Sequence, residues 1–183
     1  MTTNSELAIL SLLAERPRHG YDIEQVIEQR GMRNWTEIGF SSIYYLLNKL
    51  ENAGMIRSRM ESSSGKGPIR KVYELTDPGR ETWQQAALVA LSQPEPCHLP
   101  IQIGLSNLPL LPKAQALMAL RAYTDTLEET KTALVTRQAN QGVPLPYQVD
   151  AMFGLSLAMI DAEIHWLKSF IAEVSEEPEN NPA

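Results

Sequence analysis

The chain has 183 residues, of which 43% are hydrophobic and 21% charged, and carries a net charge of −6. Those proportions are ordinary for one or two folded domains. No apolar run is long enough to span a bilayer and no basic-then-apolar leader opens the chain, which excludes a membrane-spanning class and makes the cytoplasm the expected address.

Residues 5–15 place Leu7, Leu10 and Leu13 at helical spacing, with Ser5 as the expected cap and Pro17 as the stop. A second helix is expected from about Gly20 to Arg30, with Ile23, Val26 and Ile27 on one face and Gly31 ending it. Residues 32–40 read as a loop.

The third helix, about 41–53, is the most informative element. Ser41 or Ser42 suits its start as a cap. Ile43, Leu46, Leu47 and Leu50 recur at i, i+3, i+4, i+7 and are expected in the core. The opposite face presents Ser41, Tyr45, Asn48 and Lys49, with Ser42 and Tyr44 at its margins. Gly54 closes the helix. Strands at about 56–61 and 70–75 then flank the Ser/Gly turn SSSGKGP. This order predicts a winged helix-turn-helix, which sets one helix in a DNA groove with a hairpin beside it.

An acidic chain looks wrong for a nucleic-acid binder until its charge is divided. Residues 1–83 hold 11 Lys/Arg and 11 Asp/Glu, whereas 84–183 hold 5 and 11. Within 57–71, Arg57, Arg59, Lys66, Arg70 and Lys71 face Glu61 alone, a local excess of +4. Phosphate binding responds to such a local field more than to the overall sum.

Thr76 is the expected cap of a fourth helix that carries Trp83 and runs to about Ser92. Prolines punctuate 93–112, read as a connecting segment with a short helix near 101–107. A long helix is expected over 113–141, with Leu120, Leu127 and Leu134 seven apart, and a last helix over 147–174. The expected organisation is a winged unit at 1–92, the Pro-rich connection at 93–112, a helical unit at 113–175, and a tail at 176–183, the helical unit being the one to which the resemblance given below assigns dimerisation and effector binding. The expected class is therefore mainly α with a small β-hairpin.

HGYDI at 19–23, SSIYYLLNKLENAGMI at 41–56, GPIRKVYELTDPGR at 67–80 and HWL at 165–167 together resemble the PadR family of bacterial transcription regulators. Many members carry Gly-Thr-Leu-Tyr-Pro where this chain has Ser41-Ser42-Ile43-Tyr44-Tyr45. The resemblance implies a homodimer joined through C-terminal helices. It also implies a repressor that binds a palindromic operator and is released by a small aromatic or drug-like effector.

The residues expected at DNA are Ser41, Ser42, Tyr44, Tyr45, Asn48 and Lys49 on the third helix. Lys66, Arg70 and Lys71 join them on the wing, and His19 at the start of the second helix. Asn48 suits an adenine edge, and Tyr45 a thymine methyl or a phosphate. Gly20 and Tyr21 are expected to serve packing, with Tyr21 filling the core edge. Trp83, Met152, Met159 and Trp166 are the candidates for an effector pocket, because Met and aromatic side chains suit apolar ligands. The rival reading is a winged-helix module that docks another protein instead of DNA.

An enzyme is not expected. The chain shows no phosphate-binding glycine loop and no nucleophile–base–orienter set. Its one cysteine, Cys97, cannot form an intrachain disulfide, and Cys97-His98 lacks metal-ligand spacing. No metal or cofactor is expected. His165 reads as a surface or interface residue.

Overall fold

In the computed structural model of the chain, which describes residues 2–36, 38–39, 42–62, 69–94, 96, 99–141 and 144–176, the first helix is capped by Thr3 and not by Ser5. Glu6 explains the choice. Its backbone N–H donates to the Thr3 hydroxyl at 3.2 Å while its carboxylate accepts from the Thr3 N–H at 2.8 Å. Two donors that a helix start leaves orphaned are thereby satisfied reciprocally. Ser5 lies inside this helix, α1 (Asn4–Glu15).

Helix α1 is followed by β1 (Arg18–His19), α2 (Gly20–Gln29) and a 3₁₀ turn, Met32–Asn34. Then come α3 (Ser42–Asn52), β2 (Ile56–Ser62), β3 (Ile69–Leu75) and α4 (Asp77–Ser92). The strands form an antiparallel sheet in the order β1-β3-β2. The sheet thus has a third strand beyond the expected hairpin, because Arg18 and His19 pair with Tyr73 and Val72.

The apolar stripes of α1, α2 and α3 meet in one core. Ile9, Leu10, Leu12, Ile23, Ile27, Ile43, Leu47 and Ile56 are fully buried there. Fully burying one such side chain contributes roughly 1.5–3 kcal/mol, so this shared core fixes the helix orientations. Arg18 is also buried. It is satisfied by the Leu12 carbonyl at 3.0 Å, Glu15 at 2.6 Å and Asp22 at 3.3 Å.

The turn between α3 and β2 is tight. Gly54 has φ +72°, a left-handed conformation that costs glycine least. The Thr76 hydroxyl donates toward the Gly54 carbonyl at 2.7 Å and accepts from the Gly79 N–H at 3.1 Å. Gly79 must remain glycine for another reason: a Cβ there would lie 1.7 Å from the Met55 carbonyl oxygen. The start of α4 is thus pressed directly onto the turn that ends α3.

The chain divides into two compact units, Met1–Pro96 and Cys97–Ala183. The second contains α5 (Pro100–Ser106), a 3₁₀ turn at Leu108–Leu110, and the long helices α6 (Lys113–Ala139) and α7 (Tyr147–Glu176). Helices α6 and α7 run antiparallel, as their cross-links show. Lys113 Nζ reaches the Ser175 carbonyl at 3.1 Å, Glu128 pairs with Lys168 at 2.6 Å, and Gln138 bonds Asp150 at 2.9 Å. Ala116, Leu120, Ile164 and Leu167 are buried in this unit, as is Thr124, whose hydroxyl donates to the Leu120 carbonyl. Among the described residues, no helix is long and apolar enough to cross a membrane.

Candidate nucleic-acid interface

Helix α3 is amphipathic in the sense that the spacing predicts. Ile43, Leu46, Leu47 and Leu50 are buried, while Tyr44, Tyr45, Asn48 and Lys49 are exposed. Tyr45 is 65% exposed, and the Asn48 amide has no partner among the described residues. Ser42 lies within the first turn, where its hydroxyl donates back to the Gly39 carbonyl at 2.7 Å. That bond runs opposite to the capping bond expected of it. Ser41 lies outside the described residues.

The loop before α3 is tied to α2. Arg33 pairs with Glu28 at 3.2 Å and donates to the Ile38 carbonyl at 2.6 Å, while Ile38 is buried. Tyr44 leans on the start of α2: a Cβ at Gly20 would lie 2.8 Å from its Cε1 atom. Gly20 therefore permits the close approach of α2 and α3 that the sequence suggested. Tyr21 does not fill the core edge as expected. It is 61% exposed, and its hydroxyl accepts from Gln25 at 3.2 Å. That bond leaves the hydroxyl proton available to an outside acceptor.

His19 is the N-cap residue of α2, with no side-chain capping bond, and its Nδ1 is buried without a partner among the described residues. A shallow groove of ≈ 330 Å³ runs past this point. It is lined by His19, Gly20 and Tyr21, by Tyr44 of α3, and by Arg70, Lys71 and Tyr73 of β3. The structure thus brings the start of α2, the outer face of α3 and the wing strand together on one side of the unit. An uncapped helix start beside an exposed arginine is a favourable setting for an anion.

The basic residues here differ in what they already hold. Lys49 pairs at 2.7 Å with Glu6, which is buried. Burial opposes ionisation of Glu6, but the Lys49 ammonium and the Thr3 N–H outweigh it and hold the carboxyl below the usual carboxylate range. Arg57 pairs with Glu74 at 2.7 Å, and Arg59 with Glu61 at 2.7 Å and Glu74 at 3.4 Å. Lys71 pairs with Glu51 at 2.8 Å and lies over the Tyr73 ring, 5.0 Å from its centroid. Arg70 is exposed and has no carboxylate partner among the described residues. Lys66 and the rest of the wing tip, 63–68, lie outside the described residues.

The local charge is accordingly smaller than the sequence count suggests. Glu51 and Glu74 fall outside 57–71 in the chain but inside the same cluster in space. Among the described residues, Arg57, Arg59, Arg70 and Lys71 face Glu51, Glu61 and Glu74, which leaves +1. Glu6, Glu51 and Glu74 are the site residues that sequence reasoning missed. Only the pairing register, with Arg57 opposite Glu74, reveals one of them.

Trp83 belongs to the first unit, where it packs on the core and its indole N–H donates to the Ser11 hydroxyl at 3.2 Å. Met152, Met159 and Trp166 belong to the second. They share an exposed stripe of α7 with Leu155, and Trp166 stacks on Phe170 with ring centroids 5.0 Å apart. His165 is exposed. Among the described residues no cluster of His, Cys, Asp or Glu could hold a metal ion.

Residues 9–85 match the sequence model of the Transcriptional regulator PadR-like family. Three solved structures resemble nearly the whole chain. PadR of Bacillus subtilis in complex with operator DNA is 22% identical, with a TM-score of 0.75, and the match covers 93% of this chain and 98% of that one. The same protein in complex with p-coumaric acid gives 21% identity and a TM-score of 0.78 over the same shares. The PadR-like regulator BC1756 of Bacillus cereus gives 21% and 0.63, covering 93% of this chain and 97% of that one. A search of curated protein sequences returns no match.

Proposed function

We propose that this chain, a transcriptional regulator of the PadR-like family through its residues 9–85, binds a palindromic DNA operator as a homodimer, with α3 in the major groove. The observation that carries the proposal is the division of α3. One face is wholly committed to the core, while Tyr45 and Asn48 project from the other; Tyr44 of the same helix lines a groove with Arg70, which has no carboxylate partner among the described residues. A major groove about 12 Å wide admits a helix, and side chains of this kind read base edges there. Asn48 and Tyr45 are the base readers in this scheme. Arg70, His19, Tyr21 and Tyr44 form a seat for one backbone phosphate, and Lys66 adds a wing contact. The fold shared with B. subtilis PadR, which was solved with operator DNA, supports the reading.

The second copy is proposed to dock on α7. Met152, Leu155, Met159 and Trp166 repeat at three, four and seven residues and are 40%, 65%, 58% and 44% exposed. Such a stripe is the pattern of a helix seam and exceeds what an isolated surface needs. Two recognition helices about 34 Å apart then read two half-sites together. Repression and release by a small aromatic acid complete the proposal, supported by the likeness to the p-coumaric acid complex.

Selection of duplex fragments from the source genome, followed by anisotropy titration, tests the DNA reading. Wild type should retain discrete fragments with a shared inverted repeat. Asn48→Ala should lose roughly 1–3 kcal/mol of discrimination at one position of each half-site. Failure of the wild-type chain to retain any fragment would overturn it. Equilibrium sedimentation tests the dimer, with Met159→Lys expected to sediment as a monomer. Titration of the bound complex with p-coumaric acid tests release.

A further inference from the structure

Glu51 is the one acidic residue of α3 and sits where the recognition helix meets the wing. One carboxylate oxygen, Oε2, pairs with Lys71 Nζ of β3 at 2.8 Å. The other, Oε1, accepts a hydrogen bond from the Ser58 hydroxyl of β2. A single side chain on α3 thus grips both strands of the hairpin. Ser58 lies directly opposite Tyr73, and Met60 opposite Lys71, so the two gripped residues share one face of the sheet. The Lys71 ammonium is fixed from a second direction by the Tyr73 ring, and Tyr73 is buried in the core. The chain from α3 through Glu51 to Lys71, Tyr73 and the core is continuous.

Both ends of the ion pair respond to it. Lys71, then Ser58, hold the Glu51 carboxyl below the usual carboxylate range, and Glu51 holds the Lys71 ammonium above the usual lysine range. Glu51 and Lys71 are 28% and 40% exposed as side chains, so the pair is partly shielded from solvent. An exposed pair on one flexible strand would contribute little. Here three groups on three elements share one constellation, which is the condition under which such contacts become non-additive.

We propose that Glu51 is a positioning residue for DNA recognition: it sets the angle of the wing against α3, and Lys71 serves as its anchor and not as a phosphate contact. The inference rests on the DNA-binding reading above. If the angle is held this way, the phosphate contacts from β3 and the base contacts from α3 remain in one register. A loosened wing still meets phosphates with its charges, but no longer keeps them in register with the base contacts of α3.

The opposite arrangement makes the opposite prediction, which allows a clean test. If Lys71 touched a phosphate, Glu51 would compete with DNA for it. Glu51→Ala would then tighten binding, and Lys71→Ala would weaken it and flatten the salt dependence. If Glu51 positions the wing, both substitutions weaken binding to the selected duplex by roughly five- to tenfold. The double variant should be no weaker than either single one. The slope of log affinity against log salt should stay that of wild type, whereas a lost phosphate contact removes about 0.9 per subunit. The exchange Glu51→Lys with Lys71→Glu, which conserves net charge, should restore most of the affinity.

The experiment uses the full chain and a duplex that the wild type itself selects, with each variant checked by circular dichroism for a wild-type fold. Tighter binding by Glu51→Ala would overturn the proposal, as would wild-type binding by both single variants. So would a flattened slope in Lys71→Ala. A wild type that selects no duplex sinks the DNA reading itself and is distinct from all of these. Hydroxyl-radical footprinting adds an independent readout: Glu51→Ala should blur the edge of protection where the hairpin lies while keeping it sharp under α3.

Discussion

Two cations on the candidate interface should behave differently when each is removed, because one is held and the other is not. Arg70 has no carboxylate partner among the described residues, whereas Lys49 neutralises the buried Glu6. Releasing Lys49 to a phosphate would strand a buried carboxylate, which is a strong reason for it to stay. Six basic residues lie on α3 and the hairpin: Lys49, Arg57, Arg59, Lys66, Arg70 and Lys71. If all six neutralised phosphates in a dimer, twelve contacts would give a salt slope of about −11. If only Arg70 and Lys66 did, four contacts would give about −3.6. The exposed pairs of Arg57 and Arg59 are weak enough to exchange for phosphate, which extends the range to about −7.

Arg70→Ala should therefore lower the magnitude of the slope by about 1.8 per dimer. At the lower limit, the affinity lost between 50 and 200 mM salt falls from about 150-fold to about 12-fold. Lys49→Ala should leave the slope at its wild-type value and lower the melting temperature instead. Anisotropy titrations across that salt range, with a thermal melt of each variant, measure both quantities. A wild-type slope near −11 would refute the reasoning, and so would a flattened slope in Lys49→Ala with none in Arg70→Ala.

Gly79→Ala should be strongly destabilising, because its Cβ would meet the Met55 carbonyl oxygen at 1.7 Å and neither backbone can yield cheaply. A loss of about 3 kcal/mol or more in urea unfolding is expected, at the upper end of overpacking costs. Acid should weaken the first unit: Glu6, Glu15 and Glu51 all ionise below the ordinary value of 4.5 in the folded state. The folded chain therefore binds fewer protons than the unfolded one, so this stability is complete above pH 4.5 and is lost as pH falls through the lowered values. Urea midpoints between pH 7 and pH 3 would check the sign. Tyr123 donates to Glu163 at 2.7 Å and is pushed up to about 12, first by that hydrogen bond. One of the six tyrosines should thus ionise late in an absorbance titration, and Glu163→Gln should bring it back toward the others.

The sequence speaks clearly where the cause of structure is local. The four-residue stripe of α3, the glycine stop at Gly54 and the Thr76 cap each depend on neighbours within one or two turns, and each is where the spacing places it. The misses share a different cause. Strand β1 is two residues long, too short to show any period, and exists only because β3 is there to pair with it. Thr3 displaces Ser5 as the cap because Glu6 can answer Thr3 and no such partner answers Ser5. Tyr21 looks like a core residue by composition, yet α2 already fills the core with Ile23, Val26 and Ile27.

The electrostatics of the interface were the least legible, for a reason that bears on the proposed function. A count over 57–71 sees five cations and one carboxylate. Lys71 finds its partner 20 residues away in Glu51, Arg57 finds its own 17 away in Glu74, and Lys49 finds its own in Glu6. Glu6 and Glu51 lie on helices outside that window, and Glu74 lies on β3 three residues past its end. Folding thus converts a uniformly basic hairpin into a patterned one, where some cations are spent on geometry and others remain for a ligand. A winged unit with every cation free would bind any duplex through phosphates alone, with affinity but little discrimination. On the proposed reading, fixing Lys49 and Lys71 internally would lower that background and leave more of the binding free energy to depend on Tyr45 and Asn48. By this argument the carboxylates missing from the linear count favour sequence selectivity, because they limit how much of the affinity a random phosphate backbone can supply.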